Sequence, residues 1–285
     1  MPLDVQTSPY GATASTSGLR RRELFVWLLS ILAAHYFLRF GPNASLSFLE
    51  ALTQSLSSKS VFHYLGWYAV FQLAISADSE QPSSRTDVAF ALIAALLPFV
   101  PANSPLWLSI TATALYLWAT SKGEIKLQAA GIVLLALAFN GFWGPKLFEV
   151  LAFPLLIADT ALVGGLLSLL HSGYSWQGTI IGSEGHGLVI FGPCSSFHNI
   201  SLGLLCWIAI TKLSRPGWAP GDAWIAVAVV GAVLLLNTAR IYLMALSKPM
   251  YDYWHSGFGG ELFVMATSAA VIGISLWGAL RRVRA

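Results

Sequence analysis

Residues 147–170 read "LFEVLAFPLLIADTALVGGLLSLL", an apolar run with Glu149, Pro154 and Asp159 set into it. A transmembrane helix needs about 20 apolar residues to cross roughly 30 Å of hydrocarbon, so the run is long enough to span. Its two carboxylates and its proline suit a different placement, a helix lying on the outer interface or packed re-entrantly, where protein or water answers the polar groups. The choice sets the topology of everything around it.

Eight other apolar segments have the length, or nearly the length, of a crossing. One follows the cluster "RRRE" near the N-terminus, and the others fall at about 61–77, 88–103, 105–120, 127–144, 196–213, 223–246 and 260–279. Nine crossings from a cytoplasmic N-terminus would put the C-terminal "RRVRA" outside, against the excess of Lys and Arg on cytoplasmic loops. With 147–170 set aside, eight crossings place Arg20, Arg21, Arg22, Arg85, Lys122, Lys126, Lys212, Arg215, Arg281, Arg282 and Arg284 inside. Only Lys59, Lys146 and Lys248 then fall in the outer loops. The expected fold is an all-α polytopic membrane protein of about eight transmembrane helices plus one interfacial or re-entrant helix, with both termini cytoplasmic.

Composition agrees with this class. Hydrophobic residues make up 56% of the 285 and charged ones 10%, well outside the soluble globular range. The net charge of +3 is small and its basic residues fall in short clusters between apolar runs, so they read as topology signals and give no support to nucleic-acid binding. Residues 1–19 are rich in Ser, Thr, Gly and Pro without an apolar period, which suits a disordered cytoplasmic tail ahead of one membrane domain over 20–285. The first apolar run imitates a secretory signal, but it is long and no small-x-small cleavage site follows, so an uncleaved span is expected. There is no CxxC, HExxH or Gly-rich phosphate loop, and neither a cofactor nor a metal is expected.

Downstream of 147–170, the stretch "HSGYSWQGTIIGSEGHGLVIFGP" carries β-branched pieces on either side of a Gly-rich turn signal. A small β-hairpin on the outer face follows from it, flanked by His171 and His186 and leading into "FGPCSSFHN", residues 191–199. Three unusual residues then share one depth at the outer side. Cys194 begins the 196–213 span, Arg240 lies roughly 26 Å along the helix that starts at 223, and His255 immediately precedes the last span.

Each has a plain explanation beside a chemical one. An arginine within a span is costly and is a functional candidate by default, although it can also snorkel to headgroups. Free cysteine often behaves as a small buried hydrophobe, but Pro193, Ser195 and Ser196 read as the first turn of a helix, whose positive end favours a thiolate. His255 is either a hydrogen-bonded loop histidine or the base of a thiolate–imidazolium pair. Arg240 would then offer fixed N–H donors to a developing oxyanion. His198, four residues after Cys194 and on the same helical face, is an alternative base. Ser195 and Asn237 are candidate supporting residues. Cys206 lies roughly 18 Å along the same helix, too far to form a disulfide with Cys194, and reads as packing.

The order and spacing of "GPCSS", "NTARI" and "HSGFGG" on this topology resemble the exosortase/archaeosortase family of integral-membrane cysteine transpeptidases. The motifs cover roughly residues 125–275. The resemblance implies Cys194 as nucleophile, Arg240 as the arginine that stabilises substrate or oxyanion, and His255 as the catalytic histidine. It also implies a thioester intermediate, transfer to an amine or hydroxyl acceptor, and substrates that are exported proteins with a short C-terminal motif, a transmembrane helix and a basic tail. A polysaccharide or lipid acceptor in a bacterial or archaeal cytoplasmic membrane follows from the same source. The family's commonest pattern has Cys-Ser-Gly; here Ser196 and His198 stand where glycine and a basic residue are usual, which marks a divergent subgroup. Two other functions compete: a transporter or channel that binds an anionic substrate through Arg240 and the outer histidines, and a structural subunit of a polysaccharide-export system.

Overall fold

The computed structural model describes residues 19–40, 60–78 and 80–283. All but the last residue of the expected N-terminal tail, together with Lys59 and Arg284, lie outside the described residues. The elements run α1 (Arg21–Phe40), α2 (Ser60–Ile75), α3 (Arg85–Leu96), α4 (Asn103–Thr120), α5 (Ile125–Leu170), β1 (Ser175–Gln177), β2 (Ile180–Ser183), β3 (His186–Val189), α6 (Ser196–Ser214), α7 (Asp222–Leu246), α8 (Lys248–His255) and α9 (Phe258–Val283).

Among the described residues five helices, α1, α5, α6, α7 and α9, are long and apolar enough to cross a membrane. The expected crossing at 88–103 is interrupted. Its helix, α3, has 12 residues and is about 18 Å long, short of the hydrocarbon thickness. Pro98 enters a single 3₁₀ turn at Leu97–Phe99, and Val100 is extended (φ −65°, ψ 127°), as the residue before a proline favours.

The segments expected separately at 127–144 and 147–170 are one continuous helix, α5. Pro145 has no N–H to donate and its ring crowds the carbonyl four residues back. The backbone widens over Phe139–Trp143 into a π turn, in which Gly144 donates to the Phe139 carbonyl, and the helix runs on through the proline. At 1.5 Å per residue its 46 residues extend about 69 Å, more than twice the hydrocarbon thickness. A helix that never reverses does not cross twice, so 147–170 is no returning span.

The hairpin expected between α5 and α6 is a three-stranded antiparallel sheet in the order β1-β2-β3, with Ile181 opposite both Trp176 and Leu188. The extra strand, "SWQ", is held by its tryptophan, which lies directly on α5 at Gly164. A Cβ there would come within 2.3 Å of the indole. One large apolar core runs through α1 to α4, the first half of α5, and α6, α7 and α9. A smaller one joins Val163 and Leu167 of α5, Ile181 and Leu188 of the sheet, and Ile241 and Met244 of α7.

At the end of the bundle away from the sheet, buried Arg21 closes the fold. Its Nε donates to Asp87 Oδ1 (3.2 Å), its Nη1 to Ser121 Oγ (3.1 Å) and the Glu124 carboxylate, and its Nη2 to Thr120 Oγ1 (2.6 Å). Asp87 also accepts from the Tyr116 hydroxyl (2.9 Å) and forms a capping box with Ser84 at the start of α3. Each nitrogen of the guanidinium is thereby paired, whereas Glu124 Oε1 is buried without a hydrogen-bond partner among the described residues.

Candidate active site

Gly192–Cys194 form a 3₁₀ turn in which Ser195 N–H donates to the Gly192 carbonyl (3.0 Å). Ser195 is extended (φ −66°, ψ 139°) and wholly buried, and its hydroxyl caps α6 by accepting from Phe197 N–H (3.2 Å). The expected placement of Cys194 within the first turn of the helix is therefore corrected: Cys194 precedes the N-cap, because the serine's side chain takes the capping position. The i,i+4 relation that would set His198 on the same helical face does not extend to a residue outside the helix. His198 is exposed and lines a cavity of about 470 Å³ with Phe148, Glu149, Gly192, Phe197 and Ser201.

The Cys194 side chain is half-buried against the smaller apolar core. Its backbone is held by polar side chains from other helices. Asn237, fully buried in α7, donates through Nδ2 to the Cys194 carbonyl and to Ser196 Oγ, both at 2.9 Å. Asn199 Nδ2 reaches Asn237 Oδ1 at 3.5 Å. Asp159 of α5, also buried, accepts from Ser196 N–H through Oδ2 (3.0 Å). These bonds lie away from water, where leaving a partner unsatisfied costs more than the bond itself contributes.

Arg240 lies three residues beyond Asn237, on the same face of α7. Its Nε donates to the Trp254 carbonyl (3.0 Å) and its Nη2 to the His255 carbonyl (3.4 Å), and the guanidinium carbon stands 4.8 Å from the Phe263 ring centroid. Nη1 is the nitrogen these hydrogen bonds leave over. A cation at the last carbonyls of a short helix also complements that helix's negative end.

His255 ends α8, a helix capped by Ser247, and is not a loop residue. Its exposed ring stacks on Tyr251 one turn earlier, at 4.8 Å and 13°. Tyr251 in turn meets His186 of the sheet edge-on at 6.2 Å, and His186 Nε2 donates to the Met244 carbonyl (3.1 Å). Beyond α8, Gly259 permits the close return of the chain, since a Cβ there would come within 2.6 Å of the Tyr253 ring. His171 Nε2 and the Tyr242 hydroxyl share a hydrogen bond of 2.7 Å.

The structure thus brings Cys194, Ser195, Asn237 and Arg240 together, and it joins His255 to them through its backbone carbonyl. No hydrogen bond links the His255 ring to the Cys194 thiol among the described residues. His198 opens onto the separate cavity. Asp159, Ser196, Asn199 and Tyr251 complete the surroundings, and sequence reasoning did not assign them to the site. Tyr251 had a legible signal in its i,i+4 spacing from His255. Asp159 was visible as a carboxylate in an apolar run, but its partner, a backbone N–H 37 residues on, has no sequence signature.

No protein-family model, curated protein or solved structure matches this chain.

Proposed function

We propose that this protein is a membrane cysteine transpeptidase similar to the exosortase/archaeosortase family, acting on the C-terminal sorting signals of exported proteins. The observation that carries the reading is that one face of α7 holds both candidate turns: Asn237 donates to the Cys194 carbonyl, and Arg240, one turn on, donates to the carbonyls of Trp254 and His255. The reading includes eight crossings, cytoplasmic termini and a site on the outer face of a bacterial or archaeal cytoplasmic membrane.

The Cys194 thiolate attacks the scissile carbonyl carbon, forming the S–C bond while the carbonyl electrons move to oxygen. Arg240 offers N–H donors to that oxyanion. As it collapses, the C–N bond breaks and the departing amine takes a proton from the His255 imidazolium, leaving a thioester. An acceptor amine or hydroxyl then attacks the thioester, His255 takes its proton, and the Cys194 thiolate leaves. The His255 ring is exposed and stacks on Tyr251, which leaves its edge open to a leaving group and to an acceptor.

The test is processing of an exported protein from the same genome that carries a C-terminal apolar helix and basic tail, co-expressed with variants of this chain. Cys194→Ala abolishes cleavage. Arg240→Ala lowers its rate about 10²- to 10³-fold and His255→Ala about 10²- to 10⁴-fold, whereas His198→Ala retains it. Normal processing by Cys194→Ala would end this reading, and loss in His198→Ala with retention in His255→Ala would reassign the base.

A further inference from the structure

Asp159 takes no part in the steps above, yet it is 8% exposed and set in the apolar second half of α5. Among the described residues it forms no ion pair; its hydrogen bond comes from the Ser196 N–H at the start of α6. A buried ionisable group is costly unless something answers it. Here the answer is the N-terminus of a 19-residue helix, with its free N–H groups and positive dipole end.

The same positive end is the one a Cys194 thiolate would draw on, two residues before Ser196. The two anions therefore compete for one field. The elements packed around the turn bring other ionisable groups: His186 from β3, Arg240 and Tyr242 from α7, and Tyr251 and His255 from α8. His198, on α6 itself, opens onto the cavity. Asp159 is the carboxylate bonded to the turn, and Arg240 the cation on α7 one turn beyond Asn237, which holds the Cys194 carbonyl.

We propose that Asp159 is a positioning residue for the nucleophile: through Ser196 it fixes the turn that carries Cys194, and by occupying the positive end of α6 it holds Cys194 as the neutral thiol until His255 takes the thiol proton and Arg240 faces the charge that develops on the substrate oxygen. The proposal rests on the reading of Cys194 as nucleophile. It separates two tasks that one helix end would otherwise perform together, anchoring the turn and activating the sulfur.

The experiment is alkylation of Cys194 by iodoacetamide in the full-length protein in detergent, in a Cys206→Ala background, followed across pH and set beside processing. Asp159→Asn keeps an acceptor oxygen for Ser196 N–H and removes the charge; it moves the alkylation midpoint about one pH unit lower. Asp159→Ala removes the acceptor as well and loses processing while helical content is retained. A midpoint in Asp159→Asn equal to that of the parent overturns the proposal, as does full processing by Asp159→Ala. Should Asp159→Asn not fold, Asp159→Ser removes the same charge and is read the same way. Alkylation needs no substrate, so the two readings fail separately: an unmoved midpoint with inactive Cys194→Ala overturns the role of Asp159 alone, whereas normal processing by Cys194→Ala overturns the nucleophile and the proposal built on it.

Discussion

Asn237 carries no charge, yet its amide joins the carbonyl of Cys194 to the hydroxyl of Ser196 from a different helix. Replacing it with alanine leaves both acceptors buried without a donor, at a cost of about 1 to 3 kcal/mol. Asn237→Ala is therefore expected to melt several degrees lower in detergent than the parent. Asn237→Asp is expected to be worse, because a carboxylate would face the Cys194 carbonyl. At this scale the sequence was informative where a residue type is intrinsically out of place. Arg240 in a span and Cys194 after Gly-Pro announced themselves. The amide and carboxylate that hold the Cys194 turn did not, since their bonds cross between elements and follow no period.

Among the elements, α5 departs most from what its sequence suggested. Gly144 and Pro145 read as a break between two segments, and the π turn absorbs them instead. Periodicity shows where a helix is apolar but not whether its backbone can widen by one residue to pass a proline. The sheet was half legible for a related reason. Its second and third strands carry β-branched residues around a Gly-rich turn, whereas "SWQ" is ordered by Trp176 lying against Gly164, a tertiary contact. Gly164→Leu fills the space the indole occupies, so β1 is expected to lift from α5. Protease cleavage within 171–190 should then rise while α5 itself stays helical, a result that limited proteolysis with mass spectrometry would read directly.

Across the whole molecule, the Arg21 cluster and the Cys194 turn lie at opposite ends of the bundle, and each ties together segments remote in sequence. Arg21 and its carboxylate partners are side chains about 66 and 103 residues apart. Their pairing was not legible, because charge counting assigned Arg21 to a side of the membrane and not to a partner. Arg21→Gln strands buried carboxylates and is expected to cost about 3 to 5 kcal/mol. The cluster also sets an acid limit. Burial pushes the Asp87 carboxyl up, but hydrogen bonds from Ser84, Tyr116 and Arg21 outweigh it and hold the group below its ordinary 3.8. Its stabilising contribution is thus complete above that value and is lost as pH falls below it. Thermal melting in detergent should show a loss below about pH 4 that Asp87→Asn diminishes.

The bonds from Arg240 to the carbonyls of Trp254 and His255 also bear on how the protein is made. Synthesis runs from the N-terminus and delivers the cysteine long before the segment that locks the arginine in place. A ribosome-bound chain that has inserted α6 and α7 holds the sulfur and the guanidinium, but lacks the two carbonyls that aim the latter. The final placement of Arg240 therefore comes late in translation, after α8 has emerged and turned back on α7.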